Sequence, residues 1–216
     1  MAFIITLVTT FILLFYFYYE DHNREPLNCL VEAFAIGAAI SLQVSFLQTV
    51  IPLPAHILFA AFIGAGLIEE GMKLVALRLT LFRHPSFTAP VDGITYAVFL
   101  SLGFATVENV IHATTAEIGL VRAFTAVPAH ALFAVSMGYY LGRYKFDRND
   151  KVLLFLALYV PAVLHGLYNY LILSGTKWAM VLFVPYVIFL WVNGLLRHKK
   201  LNRMVRECVE KVKELD

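Results

Sequence analysis

The sequence predicts an all-α fold, a polytopic membrane helix bundle of about seven transmembrane helices, and three observations lead to it. Hydrophobic residues make up 60% of the 216-residue chain. Asp, Glu, Lys and Arg together make up only 15%, against roughly 25% in soluble domains. Apolar runs of about 20 residues recur along nearly the whole length, each long enough to cross a hydrocarbon core roughly 30 Å thick as a helix. A water-soluble fold is excluded.

The spans fall at about 2–19, 27–50, 55–82, 91–114, 121–143, 152–173 and 177–196. The first has no basic residue before it and no small-residue cleavage site after it, and it ends in Phe15-Tyr16-Phe17-Tyr18-Tyr19. It is therefore expected to be a retained anchor with an aromatic belt. The second carries Glu32 near its start, where the side chain can reach the interface. The third carries Glu69, Glu70 and Lys73, and the fourth opens on Asp92-Gly93, where Asp92 suits an N-cap, and carries Glu108, Asn109 and His112. The fifth carries His130, the sixth His165 and Asn169, and the seventh has no ionisable residue in its interior. Residues 197–216 form a separate basic tail in which Leu201, Met204, Val205, Cys208, Val209 and Val212 recur at a helical spacing suited to the inner leaflet.

Alternate connections and the tail hold fourteen of the Lys and Arg residues, the opposite side holds Arg122 and Lys177, and Lys73 lies within a span. This asymmetry predicts an outer N-terminus and a cytoplasmic C-terminus. The net charge of +2 gives no support to nucleic-acid binding. Cys29 and Cys208 are far apart and both lie toward the cytoplasmic side, so no disulfide framework is expected.

An ionisable residue inside a span costs at least about 2.5 kcal/mol on insertion scales and marks a functional site by default. Here such residues cluster. Glu69 and Lys73 are i,i+4, Glu70 and Lys73 are i,i+3, and His165 and Asn169 are i,i+4, so each pair shares a helix face. Neighbours on an α-helix differ by about 100°, so one glutamate of the pair is expected to face the reacting centre while the other pairs with Lys73 or a neighbouring helix. Glu108, His165, His130 and the Glu69-Glu70 pair fall at depths of roughly 9 to 22 Å from the outer helix ends. Four helices are thus expected to converge on a pocket opening outward. His22, His56, His84 and His198 lie in loops, at a helix end or in the tail and are expected to be incidental.

The same residues form motifs. Glu69-Glu70-Gly71-Met72-Lys73 fits EExxK, Phe104 to Asn109 fits FxxxEN, and His165 to Asn169 fits HxxxN. The chain resembles the PrsW family of intramembrane proteases, and Val91-Asp92-Gly93-Ile94-Thr95-Tyr96 leading into Leu102-Gly103-Phe104-Ala105 also looks like that family's segment before its second acidic motif. It departs at Ala134, where the family often has glycine; alanine preserves close helix packing. The resemblance implies a glutamate-dependent membrane protease, related to the group that includes the CAAX prenyl endopeptidases, over residues 1–196. It also implies first-site cleavage of a single-pass partner such as an anti-sigma factor, near the outer face of a bacterial plasma membrane.

On this reading, Glu70 with His130 activates a water, and His165 and Asn169 stabilise the oxyanion or protonate the leaving amine. Glu69 and Lys73 hold their helix in place, and Glu108 and Asn109 complete the contacts to water or substrate. No metal is expected. The mechanistic rival is a zinc set of His130, His165 and either Glu108 or Glu70, although the HExxH signature is absent. A proton-coupled transporter or a purely structural membrane partner would use the same residue types, but no inverted repeat is evident.

Overall fold

In a bilayer every backbone polar group must be satisfied within the protein, which leaves helices as the natural form for these apolar runs. The computed structural model describes residues 2–21, 24–51, 54–147 and 150–213, and among them every regular element is helical. His22 and Arg148 lie outside the described residues, as do the side chains of Cys208, Val209, Lys211, Val212 and Lys213.

The chain makes α1 (Ala2–Glu20) and α2 (Leu27–Val50), then a third helix in two parts. Its first part, Phe59–Glu69, is π-helical and runs directly into α3 (Glu70–Leu79). A short turn at Leu81–Arg83 leads to α4 (Asp92–His112), α5 (Ala116–Phe146), α6 (Lys151–Leu173) and α7 (Lys177–Lys213). Six of these helices are long and apolar enough to cross a membrane by themselves. The third expected span is the one divided between helix types, and the division falls between Glu69 and Glu70.

Two helices run longer than expected. α5 starts at Ala116, where the Thr115 hydroxyl caps it by accepting from the Ile118 N–H. α7 is one 37-residue helix, about 55 Å long, so the basic tail prolongs the seventh helix through Lys213 instead of turning away as a separate unit. No Gly or Pro interrupts the chain after Gly194. The first two turns of the tail dock on α1, where Asn202 donates to the Glu20 carbonyl at 3.1 Å and the His198 ring lies 5.4 Å from that of Phe17.

The helices α4 and α5 form the centre of the bundle. Within their apolar windows 78% and 67% of residues are buried, against 22% in those of α1 and α7. Glycine lets α4 and α5 meet backbone to backbone: a Cβ on Gly138 would lie 2.2 Å from the Gly93 carbonyl oxygen. The π-helical segment meets α6 in the same way, with a Cβ on Gly66 placed 2.5 Å from the Ala162 carbonyl oxygen.

At the end of the bundle where the basic connections lie, Asp21, Glu25 and Asp92 are all buried. Thr95 donates to Asp21 at 2.6 Å, and Tyr96 donates to Glu25. Asp92 reaches back to accept from the backbone of Thr88 and Ala89, both at 2.7 Å, so it caps the preceding loop rather than its own helix. Burial pushes the Glu25 carboxyl up to about 8, with the nearby Asp92 and Asp21 adding to the effect. A raised carboxyl favours the folded state most at low pH, where it is protonated in both states. That contribution falls from the ordinary carboxylate range upward and is exhausted as pH rises through about 8. Thermal unfolding in detergent should therefore show a Tm decline between about pH 5 and pH 8 that Glu25→Gln flattens; equal slopes for the two proteins would refute this.

Candidate active site

The groups expected to converge do so. Glu69 ends the π-helical segment, Glu70 and Lys73 lie on the first turn of α3, Glu108 is on α4, His130 on α5 and His165 on α6. Glu69, Glu70, Lys73, His130 and His165 are all at most 6% exposed. Their contacts form one continuous chain.

Lys73 is its middle. Its ammonium donates to Glu70 Oε1 at 2.8 Å and to His130 Nδ1 at 2.9 Å, and lies 4.1 Å from the centre of the Phe104 ring. An ammonium has no lone pair, so His130 Nδ1 must be the acceptor and Nε2 carries the ring proton. Nε2 lies 2.7 Å from Glu108 Oε2, but that oxygen has no well-aimed hydrogen-bond partner among the described residues. The other oxygen of Glu108 accepts from Arg122 Nη2 at 2.6 Å, while Arg122 Nε donates to Asn109 Oδ1 at 3.1 Å. Ser101 Oγ donates to the His130 carbonyl at 3.0 Å and ties α4 to α5 at this level.

On the other side, His165 Nδ1–H donates to Glu70 Oε1 at 2.9 Å, and Phe133 stacks on the His165 ring with centroids 4.8 Å apart. With its proton on Nδ1, His165 presents a lone pair at Nε2. That atom faces Glu69 Oε2 across 3.9 Å, too far for a direct hydrogen bond. Glu69 Oε1 is held by Gln48 of α2, whose Nε2 donates to it at 3.2 Å and to the Gly64 carbonyl at 3.1 Å. Glu69 Oε2 is buried and has no hydrogen-bond partner among the described residues. Glu70 takes Lys73 and His165 on one oxygen and has its other, Oε2, without a partner among the described residues, while the free oxygen of Glu69 is the one that faces His165 Nε2.

Two acceptors facing one gap call for a proton donor or a cation. The ligating atoms of Glu69, His130 and His165 all lie within 4.8 Å of one another. A water hydrogen-bonded to its neighbours holds them about 4.6 Å apart at a tetrahedral angle. Zinc bonds to nitrogen and oxygen place neighbouring ligands about 3.4 Å apart. The donor chemistry, two histidines and a carboxylate, suits a divalent metal, and the 3.9 Å between Glu69 Oε2 and His165 Nε2 falls between the two spacings.

Some expected residues stand elsewhere. Asn109 donates to Thr6 of α1 and accepts from Arg122, so it braces helices instead of facing the gap. Asn169 is half-buried and forms no side-chain hydrogen bond among the described residues. The expected metal alternative paired the histidines with Glu108 or Glu70, whereas the carboxylate grouped with them is Glu69. Gln48 and Arg122 were missed. A signal existed for each, since Gln48 is a polar residue in an apolar span and Arg122 is one of only two basic residues on its side.

Residues 25–193 match the sequence profile of the PrsW family intramembrane metalloproteases. Protease PrsW of Clostridioides difficile strain 630 is 35% identical over 214 residues, covering 92% of this chain and 90% of that protein. Protease PrsW of Oceanobacillus iheyensis is 36% identical, covering 88% of this chain and 91% of its own. Protease PrsW of Bacillus subtilis strain 168 is 35% identical, with coverages of 87% and 89%. No solved structure matches the chain.

Proposed function

The chain belongs to the PrsW family of intramembrane proteases, and from that membership we propose that it is an endopeptidase making the first cut in a single-pass membrane protein such as an anti-sigma factor. The observation that carries the mechanism is the gap between Glu69 Oε2 and His165 Nε2, 3.9 Å across, where two buried acceptors await one donor. A water there donates to both. Glu69 takes its proton as the oxygen attacks the scissile carbonyl and returns it to the leaving amine. His130, whose Nε2–H is its donor, meets the oxyanion that forms. Lys73 and Glu70 fix the tautomers of the two histidines, and Gln48 keeps Glu69 turned toward the gap. This reading exchanges the roles of the two glutamates in the mechanism first expected, where Glu70 activates the water and Glu69 holds its helix.

The family's description as metalloproteases favours a second reading, in which Glu69, His130 and His165 hold a divalent ion, with His130 freeing a ring nitrogen for it by releasing Nδ1 from Lys73 or giving up the Nε2 proton. When bound, such an ion would polarise the carbonyl and sharpen the attacking water. In that case Glu70 orients His165 through Nδ1, the usual arrangement of a carboxylate behind a ligating histidine.

The asymmetry of basic residues supports a cytoplasmic C-terminus and a site opening toward the outer face of a bacterial plasma membrane. The substrate segment must be extended to expose its amides, so cleavage is expected in a flexible stretch near the partner's outer membrane boundary. The test mixes purified protein with a membrane-tethered, unstructured reporter and identifies new termini by mass spectrometry, with and without chelator. Cleavage indifferent to the chelator supports the water reading, cleavage lost on chelation and restored by zinc supports the metal, and absence of any new terminus overturns the endopeptidase.

Arg122 acts through Glu108. Arg122→Gln should lower kcat about ten- to a hundredfold at unchanged KM, as loss of an outer orienting partner does. Arg122→Lys should recover much of it. A rise in KM with kcat intact would show that Arg122 serves substrate binding instead.

A further inference from the structure

A second concentration of charge lies at the opposite end of the bundle from Arg122, where α5 and α7 pack together. The ring of Tyr139, only 6% exposed, has three cations about it. Arg143 on the same helix lies 5.9 Å from the ring centre, and from α7 Arg197 lies at 5.6 Å and Lys200 at 5.9 Å. Arg197 also sits 5.0 Å from the Tyr140 ring. The tyrosine faces attract these charges, but the charges repel one another.

Only one of the three has a counter-charge. Arg143 bonds Asp147 at 2.7 Å, while among the described residues neither Arg197 nor Lys200 has a carboxylate within ion-pair distance. Arg197 Nη1 is buried and without a hydrogen-bond partner, which is costly for a charged donor. The guanidinium fork and the nearby ammonium match the oxygens of a phosphate group.

The surroundings indicate where the phosphate comes from. Ile188, Val192 and Leu196 are 58%, 52% and 63% exposed and follow one another at i,i+4 spacing up to Lys200. They make an apolar strip that ends at the cations, as an acyl chain ends at its headgroup. We propose that Arg197 and Lys200, steadied by Tyr139 and Tyr140, form a binding site for the phosphate of an anionic phospholipid. Basic pockets between membrane helices are built to hold such headgroups.

Native mass spectrometry of the purified full chain tests this, comparing retention of phosphatidylglycerol with that of phosphatidylcholine. The protein should retain the anionic lipid selectively. The double variant Arg197→Gln with Lys200→Gln should weaken retention about 30-fold, each basic side chain contributing about five-fold. Lys200 is exposed, so Lys200→Gln alone tests the site without disturbing the packing and should weaken retention about five-fold. Arg203, which is 74% exposed and faces Glu207 at 3.6 Å, gives the control for general charge. If Arg203→Gln weakens retention as much as Lys200→Gln, the charge of the tail and not a built site is responsible, and the proposal fails. Displacement of the lipid by millimolar inorganic phosphate would overturn the lipid as the source of the anion. Undiminished retention under phosphate supports it.

Discussion

Glu69→Gln should abolish peptide hydrolysis, lowering kcat by about four orders of magnitude at the upper end of what a positioned general base contributes. The amide keeps the shape of the side chain, and its oxygen still accepts from Gln48. It cannot take a proton from water. Because Glu69 Oε2 has no partner to lose among the described residues, the variant should unfold at nearly the temperature of the parent. Glu70→Gln behaves differently: it leaves Lys73 buried without its carboxylate and weakens the acceptor that holds His165. Removing one member of a buried ion pair costs about 3–5 kcal/mol, so this variant loses stability together with activity. Reporter cleavage and thermal unfolding of the two purified variants separate the roles. Cleavage by Glu69→Gln at the parental rate would remove Glu69 from the chemistry.

Gly138→Val should prevent the bundle from assembling. The new Cβ alone would fall 2.2 Å from the Gly93 carbonyl oxygen and 2.5 Å from the Ile94 Cα, and both obstacles are backbone. No side chain can turn aside to make room. The helices α4 and α5 would have to move apart, and they carry Glu108 and His130, which meet at 2.7 Å. The expected cost exceeds about 3 kcal/mol, at or beyond the usual range for overpacking. The measurements are yield of monodisperse protein and Tm in detergent. A variant that purifies normally and unfolds within about 2 °C of the parent, the shift of a fraction of a kcal/mol, would contradict the close approach of these helices.

The fold was legible because hydropathy decides it. Burial of a polar backbone in lipid permits little besides helices, so the seven apolar stretches translate directly into α1 to α7 with the divided third helix between α2 and α4. The extension of α7 was not legible, because the sequence past Arg197 is amphipathic and such a segment suits a leaflet surface as well as a prolonged helix. What settles it is Asn202 docking on the end of α1, a contact between residues 182 positions apart.

The cluster was legible in its membership, since Glu69, Glu70, Lys73, Glu108, His130 and His165 are ionisable groups inside apolar spans and each was expensive enough to stand out. Its wiring was not. Spacing shows that Glu69 and Glu70 diverge, and gives no means of deciding which one meets His165, because that depends on how α6 is rotated against α3. Asn109 shows the reverse failure. Its place beside Glu108 suggested a partner in catalysis, while the 100° turn between neighbours sends it to Thr6 of α1.

The π-helical stretch from Phe59 to Glu69 also bears on how this family of chains can change in length. A π-helical turn is an α-helical turn that has absorbed a residue without breaking. Deleting one residue within it would let the stretch relax toward an α-helix, and the loss would appear as a rotation. Glu69 would swing relative to Gln48, and Gly66 would turn away from Ala162. Between Phe59 and Glu69 the number of residues, as much as their identity, therefore sets where Glu69 points.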